Sequence, residues 1–203
     1  MKEIQLAPEL IRDEEYIGRT APQILKLALD RGRPGWKTED YDLLALTGRK
    51  NDFYLELART ELRAYPGVKE GLEWLKSEGV KTAVVSNGRK REVSAALQLL
   101  QLAPLMDQVI TRDDVQPPKP DPTPYLFGAA SLGVEPAHCI AIEDSPPGLE
   151  AALQAKIPVG AVTSNLKARD LQYPVPGRPD LSPSWIGPNM VTFFEWIRGL
   201  PRR

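Results

Sequence analysis

Residues 139–148 read Cys-Ile-Ala-Ile-Glu-Asp-Ser-Pro-Pro-Gly, an apolar run of strand length that ends in two adjacent carboxylates. Ser145 then stands where it can cap a helix, and proline is tolerated in the first turn of a helix. An apolar strand that passes directly into a helix is typical of parallel sheets covered on both faces. This stretch therefore predicts an α/β layered fold.

The same pattern recurs along the chain after Tyr65-Pro66-Gly67. A helix is predicted over 68–78, ending at Gly79, and helical patterns then alternate with short apolar runs. These predicted strands cover residues 82–85, 108–111, 139–142 and 159–162. Because open parallel sheets bind ligands outside the carboxyl ends of their strands, polar side chains at those ends are the candidates for function.

The first 64 residues have a different, helical pattern. Residues 21–31 form one amphipathic stretch, and another begins after Thr38, a predicted N-cap followed by two acidic residues. We therefore predict a helical subdomain over 1–64 and an α/β core over 65–203.

Composition limits the class of partner. The 203 residues carry a formal net charge of −1, which excludes long-range attraction to nucleic acid or to an anionic membrane. No apolar run has the length of a membrane span or of a signal peptide, and the one cysteine cannot form an internal disulfide. These features predict a cytoplasmic protein that binds neither nucleic acid nor membrane.

Glu143 and Asp144 are candidate metal ligands. Burying two carboxylates costs free energy unless a cation or several hydrogen bonds compensate. Magnesium fits, since it binds one or two carboxylates and completes its shell with water and substrate phosphate. The alternative is that both carboxylates accept hydrogen bonds from helix N–H groups.

A candidate anion site follows the strand at 82–85, in the sequence Ser86-Asn87-Gly88-Arg89-Lys90. A hydroxyl, backbone N–H groups around a glycine and a helix N-terminus together favour an anion. The alternative is that Ser86 is only the N-cap and that the two cations are solvated.

Lys119 lies in the proline-rich loop 117–122, which could hold the lysine aimed inwards or leave it solvated on the surface. The lysine, the anion loop and the carboxylate pair all follow the carboxyl ends of predicted strands. Together they predict a site for phosphate and magnesium.

With these residues the chain resembles the haloacid-dehalogenase (HAD) superfamily, subfamily I, from about residue 18 to residue 162. Residues 142–152 and 65–68 carry the most specific match. The resemblance implies a Rossmann-like parallel sheet with a small helical cap. It implies that Ser86 and the following amides hold phosphate, that Lys119 neutralises charge during catalysis, and that Glu143 and Asp144 hold magnesium.

Residues 49–54 resemble the cap segment of the β-phosphoglucomutase-like branch, which implies that Lys50 meets a sugar phosphate. Arg89 stands where that branch often has another phosphate-binding cation, and Arg19 is a further candidate for an anionic substrate. Alanine occupies position 21, where the mutases have an arginine. This difference weakens the match to a mutase more than the match to a phosphatase.

The family attacks phosphorus with an aspartate in an Asp-x-Asp motif after the first, central strand. No apolar strand ending in Asp-x-Asp occurs in this sequence. By the match the chain begins inside the cap, so we expect a truncated or misassigned start. We also expect two groups of strands with open edges, which another segment or a second copy of the chain would cover.

The resemblance implies that the complete protein is a magnesium-dependent phosphohydrolase, acting through an aspartyl-phosphate. Its expected partner is a small phosphorylated metabolite, with a sugar phosphate as the first candidate. The chain as given is expected to be inactive alone. A sugar-phosphate mutase and a catalytically dead homologue that binds phosphate or a protein remain alternatives.

Overall fold

The structure is a computed structural model that describes residues 21–30, 39, 41–164, 166–172 and 181–200. Helices and strands alternate through most of this part of the chain. The helices are α1 (Ala21–Asp30), α2 (Leu43–Glu61), α3 (Val68–Ser77), α4 (Lys90–Leu99), α5 (Thr123–Leu132), α6 (Pro146–Gln154), α7 (Ala168–Gln172) and α8 (Met190–Arg198). The strands are β1 (Ala83–Val85), β2 (Gln108–Ile110), β3 (Ala141–Glu143), β4 (Val159–Val162) and β5 (Trp185–Gly187).

All strand pairs are parallel, which confirms the predicted fold class. β1 pairs with β2, β3 with β4, and β4 with β5. The first four strands lie within one or two residues of their predicted positions. Helix α3 also matches its prediction, and Gly79 beyond it has the left-handed φ of 71° that favours glycine after a helix.

The described strands form two separate sheets, as the sequence led us to expect. One sheet has the order β1-β2 and the other β3-β4-β5, so β1 and β3 each pair on one side only. Helix α5 packs against β1, β2 and α6, and Val85 packs against the main hydrophobic core. That core comprises buried side chains such as Leu149, Val159 and Leu171. The two sheets are thus held together through helix packing rather than through a shared ladder.

Strand β5 and helix α8 were not predicted from the sequence. Trp185 of β5 lies edge-on to Phe193 of α8, with ring centroids 5.6 Å apart, and stacks on Trp196 at 5.9 Å. A three-residue strand next to a proline-rich segment has too little local pattern to be recognised. Its position is fixed by the aromatic contacts and by pairing with β4.

Helices α1 and α2 pack against each other, and α2 also packs against α4. Helix α2 begins at Leu43, where the Asp42 carboxylate accepts hydrogen bonds from the amides of residues 44 and 45. The predicted cap, Thr38, lies outside the described residues. The predicted boundary between residues 64 and 65 stays a prediction. Among the described helices, none is both long and apolar enough to cross a membrane.

Candidate active site

The loop after β1 is shaped by its own polar groups. The Ser86 amide donates to the Ile110 carbonyl at 2.9 Å, which fixes the start of the loop at the end of the sheet. The Gly88 amide donates to Ser86 Oγ at 3.0 Å. Helix α4 begins at Lys90 with Arg89 as its N-cap and without a side-chain cap. Ser86 is therefore not the N-cap, and its hydroxyl keeps a proton to donate to a ligand.

Two neighbouring aspartates hold the cations of this loop. Asp113 accepts from the Lys90 amide at 2.9 Å and from the Arg89 guanidinium at 3.1 Å. Asp114 accepts from Lys90 Nζ at 3.2 Å. Both cations are substantially exposed, so their charge lies at the rim of the site rather than within it.

The side chain of Asn87 joins the anion loop to the lysine loop. Its Nδ2 donates to the Lys119 carbonyl at 2.9 Å, and its Oδ1 accepts from the Lys119 amide at 2.9 Å. This reciprocal pair fixes the backbone of Lys119 relative to Ser86. The role of the Asn87 side chain visible here is to position the lysine.

Lys119 points into the protein and joins the ends of β1 and β3. Its Nζ lies 3.0 Å from the Val85 carbonyl at the end of β1 and 2.5 Å from Glu143 Oε1 at the end of β3. The two charged side chains are only 10% and 7% exposed. The alternative of a solvated surface lysine is excluded by this burial.

Glu143 is surrounded by protein donors. In addition to Lys119, Oε1 accepts from the Tyr125 hydroxyl at 2.5 Å, and Oε2 accepts from Ser145 Oγ at 3.3 Å. Burial, and then the charge of Glu143, raises the pKa of Tyr125 well above its usual value, which keeps the hydroxyl protonated. None of these donors is a helix N–H group. The alternative that Glu143 accepts hydrogen bonds from helix amides is therefore not observed.

Gly148 in the first turn of α6 makes room for this carboxylate. A Cβ atom at residue 148 would lie 2.0 Å from Glu143 Oε2. Ser145 caps the helix by accepting from the Gly148 amide at 3.3 Å, as the sequence indicated. The glycine is therefore required by close packing of a side chain against the helix backbone.

A cavity of about 500 Å³ lies over these loops. Helix α2 forms one wall, and the loops after β1, β2 and β3 form much of the rest. Its polar lining comprises Thr47, Lys50, Asn51, Tyr54, Ser86, Asn87, Arg89, Glu92, Arg112, Lys119, Glu143, Asp144 and Ser145. The volume suits a small ligand of the size of a phosphorylated metabolite.

The carboxylates suit a magnesium ion completed by other ligands. The described residues contain no group of three or more side chains that could hold a metal by themselves. Magnesium needs only one or two carboxylates when phosphate and water fill its shell. Asp144 lines the cavity, and Glu143 Oε2 accepts one hydrogen bond from the described residues, whereas a carboxylate oxygen can accept two.

The cavity brings together every predicted site residue that the structure describes, including Lys50 on α2. Arg19 lies outside the described residues. Sequence reasoning missed Tyr125, Arg112 and Glu92. A buried tyrosine needs a hydrogen-bond partner, which is a signal for Tyr125 once its burial is known. The other two have no local sequence signal, because each side chain reaches the cavity only through the fold.

Comparison with known proteins gives the family. The family of haloacid dehalogenase-like hydrolases matches residues 15–162. A phosphorylated carbohydrates phosphatase of Thermotoga maritima is 38% identical over 96 residues, which are 47% of this chain and 44% of the relative. A phosphoglycolate phosphatase of Haemophilus influenzae is 29% identical over 173 residues, which are 84% of this chain and 75% of the relative. The chain thus spans less than half the length of the first relative and three quarters of the second.

A crystal structure of β-phosphoglucomutase from Clostridium difficile superposes with a TM-score of 0.76 at 22% identity. The superposition covers 96% of this chain and 82% of the mutase chain. At this level of identity the likeness shows the fold alone.

Proposed function

Because the chain belongs to the haloacid dehalogenase-like hydrolases, we propose that the complete protein is a magnesium-dependent phosphatase of small phosphomonoesters. The observation that carries the proposal is Lys119, which is buried and hydrogen-bonded between the anion loop and the carboxylate loop. One cavity thus offers donors for a phosphoryl group on one side and carboxylates for a cation on the other.

The described residues can hold the phosphoryl group. The Ser86 hydroxyl and the amides around Gly88 lie in the loop after β1 that lines the cavity. Hydrogen bonds from such preorganised donors stabilise phosphate oxygens. Arg89 at the rim of the cavity and Arg112 in its lining would add positive charge around a bound phosphate. These groups would bind the substrate and orient its phosphorus.

Lys119, Glu143 and Asp144 would balance charge during the reaction. The ammonium group of Lys119 is fixed by the Val85 carbonyl and Glu143, so it does not need to reorganise when charge develops on the substrate. Bound magnesium would supply further positive charge to the phosphoryl oxygens. The Asp144 carboxylate and Glu143 Oε2 are the groups that would hold the magnesium ion.

The described residues would hold the phosphate, whereas the group that attacks phosphorus has to come from another segment. The family resemblance assigns attack to the first aspartate of an Asp-x-Asp motif at the end of an apolar strand, and no apolar strand in this sequence ends in that motif. We propose that such a segment of the complete protein lies between β1 and β3. Support comes from the two separate sheets, because β1 and β3 each pair on one side only among the described strands.

The proposed substrate is a sugar phosphate, recognised in part by Lys50. The Thermotoga maritima relative is a phosphorylated carbohydrates phosphatase, which supports this substrate class. Lys50 lines the same cavity from α2. The division into a cap over 1–64 and a core over 65–203, and a cytoplasmic location, belong to the same proposal.

The test is hydrolysis of p-nitrophenyl phosphate and a panel of sugar phosphates with and without magnesium. It should use this chain and a chain extended upstream to the next in-frame start. We expect magnesium-dependent phosphate release by the extended chain, and loss of that release in Ser86→Ala. Ser77→Ala, which changes an exposed serine on α3, is the matched control. An extended, folded chain that is inert towards every ester would contradict the proposal, and accumulation of a sugar bisphosphate would indicate a mutase.

A further inference from the structure

A second cavity lies between helices α2 and α4, apart from the active-site cavity. Its volume is about 460 Å³, and the described residues that line it are Leu55, Arg59, Arg91, Ala95, Gln98 and Leu99. None of these residues lines the active-site cavity. We call this second cavity the interhelical groove, and its volume is within the range of small-molecule sites.

Helical periodicity places the lining residues on one face of each helix. Leu55 and Arg59 are one turn apart on α2, and the lining residues of α4 have the spacing of a single helix face. Their neighbours Tyr54 and Glu92 line the active-site cavity instead. The same two helices thus form walls of both cavities.

The lining of the groove combines apolar surface with positive charge. Leu55, Ala95 and Leu99 are apolar, and Leu99 is 44% exposed. The charged residues in the described lining are both arginines, and none of the described lining residues is acidic. Small-molecule sites have this composition, a largely apolar wall with a few polar groups that orient the ligand. The groove therefore favours a ligand with an apolar body and a negative charge.

The end of helix α2 does not account for Arg59. A cation in the last turn of a helix is favourable because it faces the negative end of the helix dipole. Arg63 already serves this end, since its guanidinium donates to the Leu62 carbonyl at 2.8 Å. Arg59 makes no hydrogen bond or ion pair with any residue that the structure describes. Its N–H donors are therefore available to a ligand in the groove.

Arg91 contributes less free charge than Arg59. Its Nη1 lies 2.7 Å from Asp52 Oδ1, and Asp52 is outside the described lining of the groove. Because this pair balances the charge of Arg91, the groove offers one uncompensated positive charge. A carboxylate matches it, with a single negative charge and two oxygens that an arginine can bind in a bidentate manner.

We propose that the interhelical groove binds a small organic carboxylate with an apolar body. Arg59 holds the carboxylate, and Leu55, Ala95 and Leu99 contact the body of the ligand. This site is separate from the phosphate site, and the inference does not rest on the proposed function.

Titration of this chain with hexanoate, followed in ¹H–¹⁵N correlation spectra in a phosphate-free buffer of fixed ionic strength, tests the proposal. We expect saturable shifts of the backbone amides at positions 55, 95 and 99. The same titration with 1-hexanol, which has the same apolar body without the charge, should give about fivefold weaker binding.

Three variants separate the groove from the rest of the surface. Arg59→Gln should weaken hexanoate binding by about fivefold, because the uncompensated charge is lost. Arg63→Gln, which removes a neighbouring exposed arginine outside the described lining, is the matched control and should bind like the wild type. Asp52→Asn should strengthen binding by about twofold, because it releases the charge of Arg91. A variant that only loosened the helix packing would not gain affinity.

Several results would overturn the inference. These are the absence of saturable shifts in the wild type, equal binding of hexanoate and 1-hexanol, or unchanged affinity in a folded Arg59→Gln. Shifts confined to the loop after β1 and lost in Ser86→Ala would mean that the carboxylate enters the active-site cavity, which would also overturn it. The comparison of hexanoate with 1-hexanol needs the wild-type chain alone, so it decides the question even if a variant does not fold.

Discussion

Two ion pairs of similar length join separate parts of this molecule. Lys119 and Glu143 are 2.5 Å apart and connect the lysine loop to the end of β3. Arg91 of α4 and Asp52 of α2 are 2.7 Å apart and connect the core to the helices that precede it. The first pair is 10% and 7% exposed, whereas the second is 66% and 63% exposed.

The difference teaches that the burial of an ion pair, and not its length, determines how much the pair contributes to the stability of the fold. The buried pair is held by the Val85 carbonyl, the Tyr125 hydroxyl and the Asn87 side chain. The exposed pair is screened by water, and ordering its two side chains has an entropic cost. Removing one member of each pair should therefore have very different effects.

The largest effect is expected from Lys119→Met. Removing one partner of a buried pair typically costs about 3–5 kcal/mol of unfolding free energy, because the other charge is left uncompensated. Urea denaturation at neutral pH measures it. Lys69→Met on the exposed surface of α3 is the matched control and should change stability by less than about 0.5 kcal/mol.

A second variant tests the cause of that loss. Adding Glu143→Gln to Lys119→Met removes the uncompensated charge, so the double variant should be more stable than Lys119→Met alone. Equal stability of the two would mean that packing, and not charge, holds the lysine.

Tyr125→Phe removes one donor from the buried pair and should cost about 1.5–3 kcal/mol, the range for hydrogen bonds to charged groups. Because the pKa of Tyr125 is raised on folding, its contribution is present below the usual tyrosine pKa of about 10 and is lost as pH rises above it. The stability difference between wild type and Tyr125→Phe should therefore shrink above about pH 10. Urea unfolding in EDTA from neutral to alkaline pH measures this, and a constant difference would contradict it.

Gly148→Ala adds a methyl group in the first turn of α6, next to the buried pair. The new methyl group would overlap the Glu143 carboxylate, and such overpacking costs about 1–3 kcal/mol. Gly48→Ala on α2 is the control, because a Cβ atom added at residue 48 would have no other group within 4 Å. It should instead stabilise the helix by about 0.5–1 kcal/mol. Thermal melts of both variants should therefore shift in opposite directions.

The smallest effect is expected from the exposed pair. A double-mutant cycle with Arg91→Ala and Asp52→Asn should give a coupling energy of about 0.2–1 kcal/mol that falls with added salt. A coupling energy as large as the loss of stability in Lys119→Met would mean that burial does not explain how much each pair contributes to stability.

Much of the site was predictable because its residues stand beside the strands that position them. The sequence after each apolar run identified Ser86, Lys119, Glu143 and Asp144, and the structure places all four around one cavity. Short apolar runs likewise placed β1 to β4, since helical patterns lie between them.

The parts that escaped prediction depend on contacts between distant residues. The partner of Lys119 is Glu143, 24 positions away, and its hydrogen bond with Tyr125 is visible only after folding. Glu92 reads in the sequence as an ordinary first-turn acid, like Glu70. Strand β5 depends on aromatic packing against α8 and on a neighbouring strand, neither of which leaves a local pattern.

Binding of inorganic phosphate to this chain can be followed by ³¹P NMR, first with magnesium and then with EDTA. We expect a bound resonance in magnesium that is weakened by EDTA and by Ser86→Ala, and that is retained in Ser77→Ala. Phosphate binding that is unaffected by EDTA and by Ser86→Ala, in proteins shown to be folded, would contradict a phosphate site built on the ends of β1 and β3.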